Sequence, residues 1–178
     1  TIVNISFDGN CELKDKIVKL LYRIDDLCSL FKENSDLNKI NNNPGEYIKV
    51  NSLVYDIIRK SIRYSKITSG DMDITYLSKD NNYNYHDIEF RWPNMIKIKA
   101  GMRLDLGSLV KGYVTDIILA ILKHNGIRDA MIDLGGNIYV LGNNNKKKWK
   151  VGIADPINIR REPVGYLVLA DMSVVTSG

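Results

Sequence analysis

The sequence predicts an α+β fold with a largely antiparallel sheet and three main helices. Three observations predict it. Three segments repeat apolar residues at a helical period. Around them lie short runs that alternate apolar and polar residues and close on Gly, Pro, Asn or Asp. Those runs follow one another instead of alternating one by one with helices, which argues against a regular βαβ sheet. The 178 residues suit one compact domain, spanning 1–178.

The elements follow in order. Ile2, Ile5 and Phe7 mark a strand in "TIVNISF", and "DGN" turns the chain after it. Residues 12–31 show the clearest helical period: Leu13, Ile17, Leu20, Leu21, Ile24, Leu27, Cys28 and Phe31 share one face, and Lys, Arg and Asp take the other. "KENSDLNKINNNPGEY" reads as a polar loop broken by Pro44 and Gly45, and "EYIKV" as a short strand. Asn51 or Ser52 caps a second helix that buries Val54, Ile57, Ile58, Ser61, Ile62 and Ser65 and stops at Gly70.

"YLSKDNNYNYH" reads as a loop. "DIEFRW", "MIKIKA" and "MRLDL" alternate as three strands of an antiparallel meander. A third helix runs from about Ser108, its N-cap, to Lys123. It turns Val110, Tyr113, Val114, Ile117, Ile118 and Ile121 inward, and Gly126 supplies a left-handed stop. "AMIDL", "GNIYVLG", "WKVGIAD" and "GYLVLA" are further strands, and "SVVTSG" closes the sequence.

Composition narrows the function classes. Hydrophobic residues at 44% and charged residues at 26% support an ordinary core. No apolar run approaches the roughly 20 residues of a membrane span, and no secretory signal is visible at the start, where the chain opens on Thr1 as though an upstream part were removed. The net charge of +4 is mildly basic. Its densest cluster, "NNNKKKWK", reads as a solvated turn between strands, because a nucleic-acid surface needs more basic residues on one face with aromatic residues among them. Cys11 and Cys28 match no redox or zinc spacing, and Cys28 falls on an apolar stripe. His86 and His124 lie far apart and give no metal or Ser-His-Asp pattern.

The stretch that points to chemistry is "DLGSLVK", residues 105–111. A tight turn at Gly107 leads into a helix whose free backbone N–H groups and macrodipole attract anions. Lys111 stands about one turn in, where the dipole disfavours a cation unless a bound phosphate or the nearby Asp105 reverses the sign. The spacing is not that of a P-loop, and no GxGxxG is present. Asp71 and Asp73 in "SGDMDIT" fit either a solvated turn or a site. The glycine pair of "DLGGN" fits either a strand bend or a close approach to a ligand.

Taken in order, these segments resemble the ApbE family of FAD:protein FMN transferases. The family's pattern runs Met-Gly-Thr; Ser-Xaa-Leu-Xaa-Xaa-Xaa-Asn; Gly-Xaa-Phe-Asp-Ile-Thr; Asp-Leu-Gly-Xaa-Xaa-Xaa-Lys-Gly-Tyr; Gly-Gly-Asp/Asn; Thr-Ser-Gly. Here Thr1 ends the first motif, "SDLNKIN" (35–41) matches the second, "GDMDIT" (70–75) the third and "DLGSLVKGYVTD" (105–116) the fourth. "LGGN" (134–137) and "TSG" (176–178) complete the series. Met72 stands where the family has Phe, and "YLSK" where it has Val-Gly-Pro-Leu.

The resemblance implies transfer of FMN from FAD to a threonine hydroxyl of an acceptor protein, with AMP released and Mg²⁺ required. FAD pyrophosphatase activity is the alternative on the same site, and a non-catalytic flavin-binding domain is a third reading. By the family's motifs, Asp105 and Lys111 contact FAD, Asp71, Met72 and Asp73 form the flavin-nucleotide segment, Phe31 stacks on the flavin, Asn41 is a further ligand, and Ser108 gives a metal-facing oxygen. No catalytic base is assigned among these residues. The family continues past Thr-Ser-Gly into further metal-ligand motifs, so the expectation is a domain without its C-terminal segment. Its members mostly act outside the cytoplasm, often as anchored lipoproteins, which sets the expected location.

Overall fold

The computed structural model describes residues 2–79, 82–157 and 162–176. Every strand ladder among them is antiparallel, as the α+β reading expects. The chain divides into two compact units, Asp15–Val114 and the pair of segments Thr1–Lys14 and Thr115–Gly178.

The first unit holds most of helix α1 (Cys11–Cys28), then α2 (Asp36–Asn42), strand β2 (Ile48–Lys49), helix α3 (Ser52–Ile67), strands β3 (Glu89–Arg91) and β4 (Met95–Lys97), and the start of α4 (Gly107–His124). Its core joins Leu37 and Ile40 of α2 to Val54, Ile57 and Ile58 of α3, and to Ile74, Ile96, Leu104 and Leu106. Fully burying each such Leu or Ile side chain stabilises the fold by about 1.5–3 kcal/mol. Ser61 and Ser65 sit in this core without penalty. Their hydroxyls donate to the carbonyls of Ile57 (2.9 Å) and Ser61 (3.1 Å), one turn back along α3. Asn51 caps α3 by accepting from the Leu53 N–H, and Ser69 and Gly70 end it with positive φ.

Four expectations need correction here. The polar loop at 32–47 contains a helix, α2. Ser35 caps it by accepting from the Asn38 N–H (3.0 Å), and Leu37 and Ile40 bury one side. Seven residues are too few for a helical period to show. The first helix ends at Cys28, not at 31, and Phe31 lies beyond it, 98% exposed. The Phe31 N–H donates to Ser29 Oγ (3.1 Å) instead of to a helical carbonyl, and the segment beyond is held by Ser35 Oγ donating to the Ser29 carbonyl (2.7 Å) and Asn38 Nδ2 to those of Leu30 and Lys32 (2.9 Å each).

"MRLDL" is not a strand. The small sheet has the order β2-β4-β3, so "EYIKV" pairs with β4 where the meander would place 102–106. Backbone groups of 103–105 find other partners: Arg103 N–H donates to Ser78 Oγ, Asp105 N–H to the Ile74 carbonyl, and Leu104 is held by Asn41. Finally, α4 starts one residue early, at Gly107, so Ser108 is not its N-cap. The Leu106 carbonyl accepts the first helical bond from Val110 (2.9 Å). The predicted loop at 76–86 also holds the start of a short 3-10 turn, Tyr85–Asp87.

The second unit carries strands β1 (Val3–Phe7), β5 (Ala130–Leu134), β6 (Asn137–Leu141) and β9 (Met172–Val175) in the order β1-β5-β6-β9. A separate ladder joins β7 (Trp149–Ile153) to β8 (Gly165–Leu169). Val140, Trp149 and Val151 form a core, and the Trp149 indole N–H donates to the Leu141 carbonyl (3.0 Å). The glycine pair proves to be a two-residue hairpin turn from β5 to β6. Gly135 and Gly136 have φ of 66° and 85°, the left-handed pair that such a turn requires. Lys146–Lys148 lie in an exposed turn between β6 and β7, the solvated turn the sequence suggested.

Candidate functional site

The segment after α3 and the head of α4 meet in the first unit. Gly70, Asp71, Met72, Asp73, Tyr76 and Ser108 line an open cleft of about 340 Å³, within the size range of small-molecule sites. Two stretches some thirty-five residues apart in sequence thus share one concave surface, and both were singled out from the sequence.

Each stretch is held by its own polar bonds. Asp73 is half-buried, and its oxygens accept from the backbone N–H of Thr75 (2.8 Å) and of Tyr85 (2.9 Å). That carboxylate therefore shapes the turn that presents Asp71 and Met72. Thr68 Oγ1 accepts from the Met72 N–H (3.1 Å), fixing the same turn from the helix side. Asp71 is exposed and Met72 half-buried.

At the head of α4, Asp105 Oδ1 accepts from the Gly107 N–H (2.7 Å), so one free N–H of the first turn is satisfied by a carboxylate from the chain itself. Asp105 Oδ2 accepts from the Tyr76 hydroxyl (2.5 Å). The bond to Asp105 is the main reason the Tyr76 phenol titrates above its ordinary value, with burial and the carboxylate's charge adding to it. Ser108 is exposed in the first turn, and Lys111 is half-buried one turn in.

Asn41 is tied to the same segment. Its Oδ1 accepts from the Leu104 N–H (2.8 Å) and its Nδ2 donates to the Leu104 carbonyl (3.0 Å). The pair copies a strand ladder with one side chain, and it holds the residue next to Asp105. Of the sequence-predicted residues, Asp71, Met72, Asp73 and Ser108 line the cleft, and Asp105 joins it through Tyr76. Asn41 reaches the site through Leu104, while Phe31 and Lys111 are not among the lining residues. Thr1 and the last two residues of "TSG" lie outside the described residues. Tyr76 was not foreseen as part of the site. Its one signal in the sequence is the departure from the family pattern at "YLSK".

Among the described residues, no group of three or more His, Cys, Asp or Glu side chains is placed to hold a metal ion. Both carboxylate oxygens of Asp73 and of Asp105 already accept hydrogen bonds within the chain. Asp71 and Ser108 are exposed at the cleft, and their hard oxygens are of the kind Mg²⁺ takes when it binds one or two protein oxygens and completes its shell with water and substrate phosphates. No described helix is long and apolar enough to cross a membrane.

The model of the ApbE family matches residues 1–178. The chain is similar to a protein named FAD:protein FMN transferase from Klebsiella pneumoniae, 27% identical over 191 residues, covering 93% of this chain and 59% of that protein. A protein of the same name from Escherichia coli K12 is 24% identical over 208 residues, covering 100% of this chain and 59% of that one. One from Treponema pallidum is 38% identical over a shorter stretch of 96 residues, 48% of this chain and 26% of that protein. Among solved structures, the apo flavinyl transferase ApbE of Pseudomonas stutzeri superposes with a TM-score of 0.83 at 18% identity, covering 99% of this chain and 64% of that one. The ApbE protein of Thermotoga maritima gives 0.80 at 24% identity, covering 98% and 65%. These likenesses establish the fold. The chain spans about three fifths of the length of the curated relatives it matches end to end.

Proposed function

The chain belongs to the ApbE family, and on that premise we propose that it forms the FAD-binding part of an FAD:protein FMN transferase. The observation that carries the reading is the cleft itself. It brings residues 70–73 of the third family motif and Ser108 of the fourth onto one surface at the head of a helix. Relatives named for this activity support it.

In this proposal the cleft receives the nucleotide. Met72 and the Tyr76 ring supply an apolar wall, and Asp71 stands at the rim. The first turn of α4 offers its remaining N–H groups and the dipole's positive end toward the diphosphate. Lys111 adds positive charge behind them, Asp105 contacts FAD, and Asn41 acts next to it through Leu104. The exposed Phe31 is available for stacking on a flavin ring. Asp73 keeps the flavin-nucleotide segment in shape.

The reaction is phosphoryl transfer, in which positioning and charge neutralisation do most of the work. An acceptor threonine oxygen bonds to the phosphorus of the FMN half, the diphosphate linkage breaks, and AMP leaves. Ser108 would offer its hydroxyl, together with the nucleotide's phosphates, to a Mg²⁺ ion, which would supply neutralisation of the diphosphate's charge. We place the protein outside the cytoplasm on the family resemblance, which cell fractionation tests.

The direct test incubates the protein with FAD, Mg²⁺ and a threonine-bearing acceptor, and reads flavin fluorescence on the acceptor in a denaturing gel. The proposal predicts a fluorescent acceptor, AMP in equal amount, and loss of both with EDTA. AMP and free FMN without a labelled acceptor would replace transfer by hydrolysis.

A further inference from the structure

We infer that Tyr76 is a positioning residue for the nucleotide site, acting through the Asp105 carboxylate. The inference rests on the FAD reading above for its consequence, and on geometry alone for the contact.

Three observations carry it. First, the Tyr76 hydroxyl donates to Asp105 Oδ2 at 2.5 Å while the Gly107 N–H donates to Oδ1 at 2.7 Å. Both oxygens are engaged from different directions, so the carboxylate plane is fixed at the head of α4. A carboxylate has about four acceptor positions, and these two bonds leave about two open for a ligand's hydroxyl or amino groups. Second, Tyr76 lines the cleft with Met72 and Ser108, so the group that fixes Asp105 stands beside the space it serves. Third, the backbone on both sides is rigidly held: Asp105 N–H donates to the Ile74 carbonyl (2.8 Å), and Leu104 is clamped by Asn41. With its backbone fixed, the freedom left to Asp105 is in its side chain, and Tyr76 removes it.

Tyr76 is 65% exposed, so removing its hydroxyl leaves the fold intact. The side chain's cost of ordering in solvent is offset by a charge-assisted bond, which is stronger than a neutral one. The upward shift of the Tyr76 phenol, caused first by its bond to Asp105, agrees with this contact.

The experiment has two arms. In the first, the Tyr76 phenol is titrated by ¹³Cζ tyrosine NMR in the ligand-free chain. The expected result is a midpoint above the ordinary tyrosine value that moves down in Asp105→Asn. An unchanged midpoint would show that the two groups do not meet and would overturn the inference. In the second, FAD affinity is measured by flavin fluorescence in a double-mutant cycle of Tyr76→Phe and Asp105→Ala, which leaves the Tyr76 hydroxyl no acceptor at 105. Tyr76→Phe alone weakens binding about threefold to tenfold, the worth of one hydrogen bond, and adds nothing in the Asp105→Ala background. Equal weakening in both backgrounds would make the Tyr76 hydroxyl a direct ligand contact and contradict positioning. A wild-type chain that binds no FAD overturns the functional reading, while the NMR arm still decides the contact.

Discussion

Asp105 stands where an anion would settle if the chain provided none. A helix start with open N–H groups attracts negative charge, and here the Gly107 N–H is answered by a carboxylate two residues back. Lys111, disfavoured by the dipole alone, thus has a negative group in the preceding turn. Asp105→Ala should remove the proposed contact to FAD and disturb the helix start together, weakening FAD binding about tenfold or more in a fluorescence titration. The two cysteines differ just as sharply. Burial, then the charges of Asp36 and Asp25, push the Cys28 thiol up to about 12, whereas Cys11 is exposed. Iodoacetamide at pH 8 should label Cys11 in the folded protein and reach Cys28 only after denaturation, as peptide mass spectrometry would show. The unfolded thiol ionises near its ordinary 9.0 and the folded one near 12, so this contribution is whole below pH 9 and is lost as pH rises toward 12. Urea unfolding of wild type should therefore weaken more steeply across that window than unfolding of Cys28→Ala.

Among the elements, α2 and the segment 102–106 show where sequence periodicity stops informing. Helices α1, α3 and α4 were legible because 16 to 18 residues give several turns of apolar repeat. Helix α2 has 7 residues, and its stability comes from side-chain bonds that no repeat reveals. Ser35→Ala should cost about 1 kcal/mol, the usual worth of an N-cap. Asn38→Ala should cost about 1–3 kcal/mol, because it strands the carbonyls of Leu30 and Lys32. Denaturant melts of both variants check these values. "MRLDL" misled because alternation records which residues are buried, and Met102, Leu104 and Leu106 are indeed buried. It does not record who satisfies the backbone, and here Asn41, Ser78 and Ile74 do. Gly142, at φ 57°, offers a sharper case. A Cβ there would lie 2.2 Å from the Arg128 carbonyl oxygen. Gly142→Ala should destabilise the chain by about 2–4 kcal/mol in the same measurement.

For the molecule as a whole, the order of the motifs carried more than any motif alone. Local physics gave a modest case for an anion at 105–111, and the cleft that joins 70–73 to Ser108 was not visible in the sequence. It depends on the turn built by Asp73, whose second partner, Tyr85, stands twelve residues away. Tyr76 escaped notice for the same reason: its meaning comes from a carboxylate twenty-nine residues on. The cap lies two residues before Ser108, at Leu106, and Asp105 reaches over it to the helix start. The central claim is that this cleft binds FAD through the head of α4. Equilibrium titration of the chain with FAD, followed by flavin fluorescence in wild type and Asp105→Ala, tests it most directly. The account predicts saturable binding by wild type, weakened about tenfold or more in the variant. No saturable binding, or equal affinity in the two proteins, would contradict it.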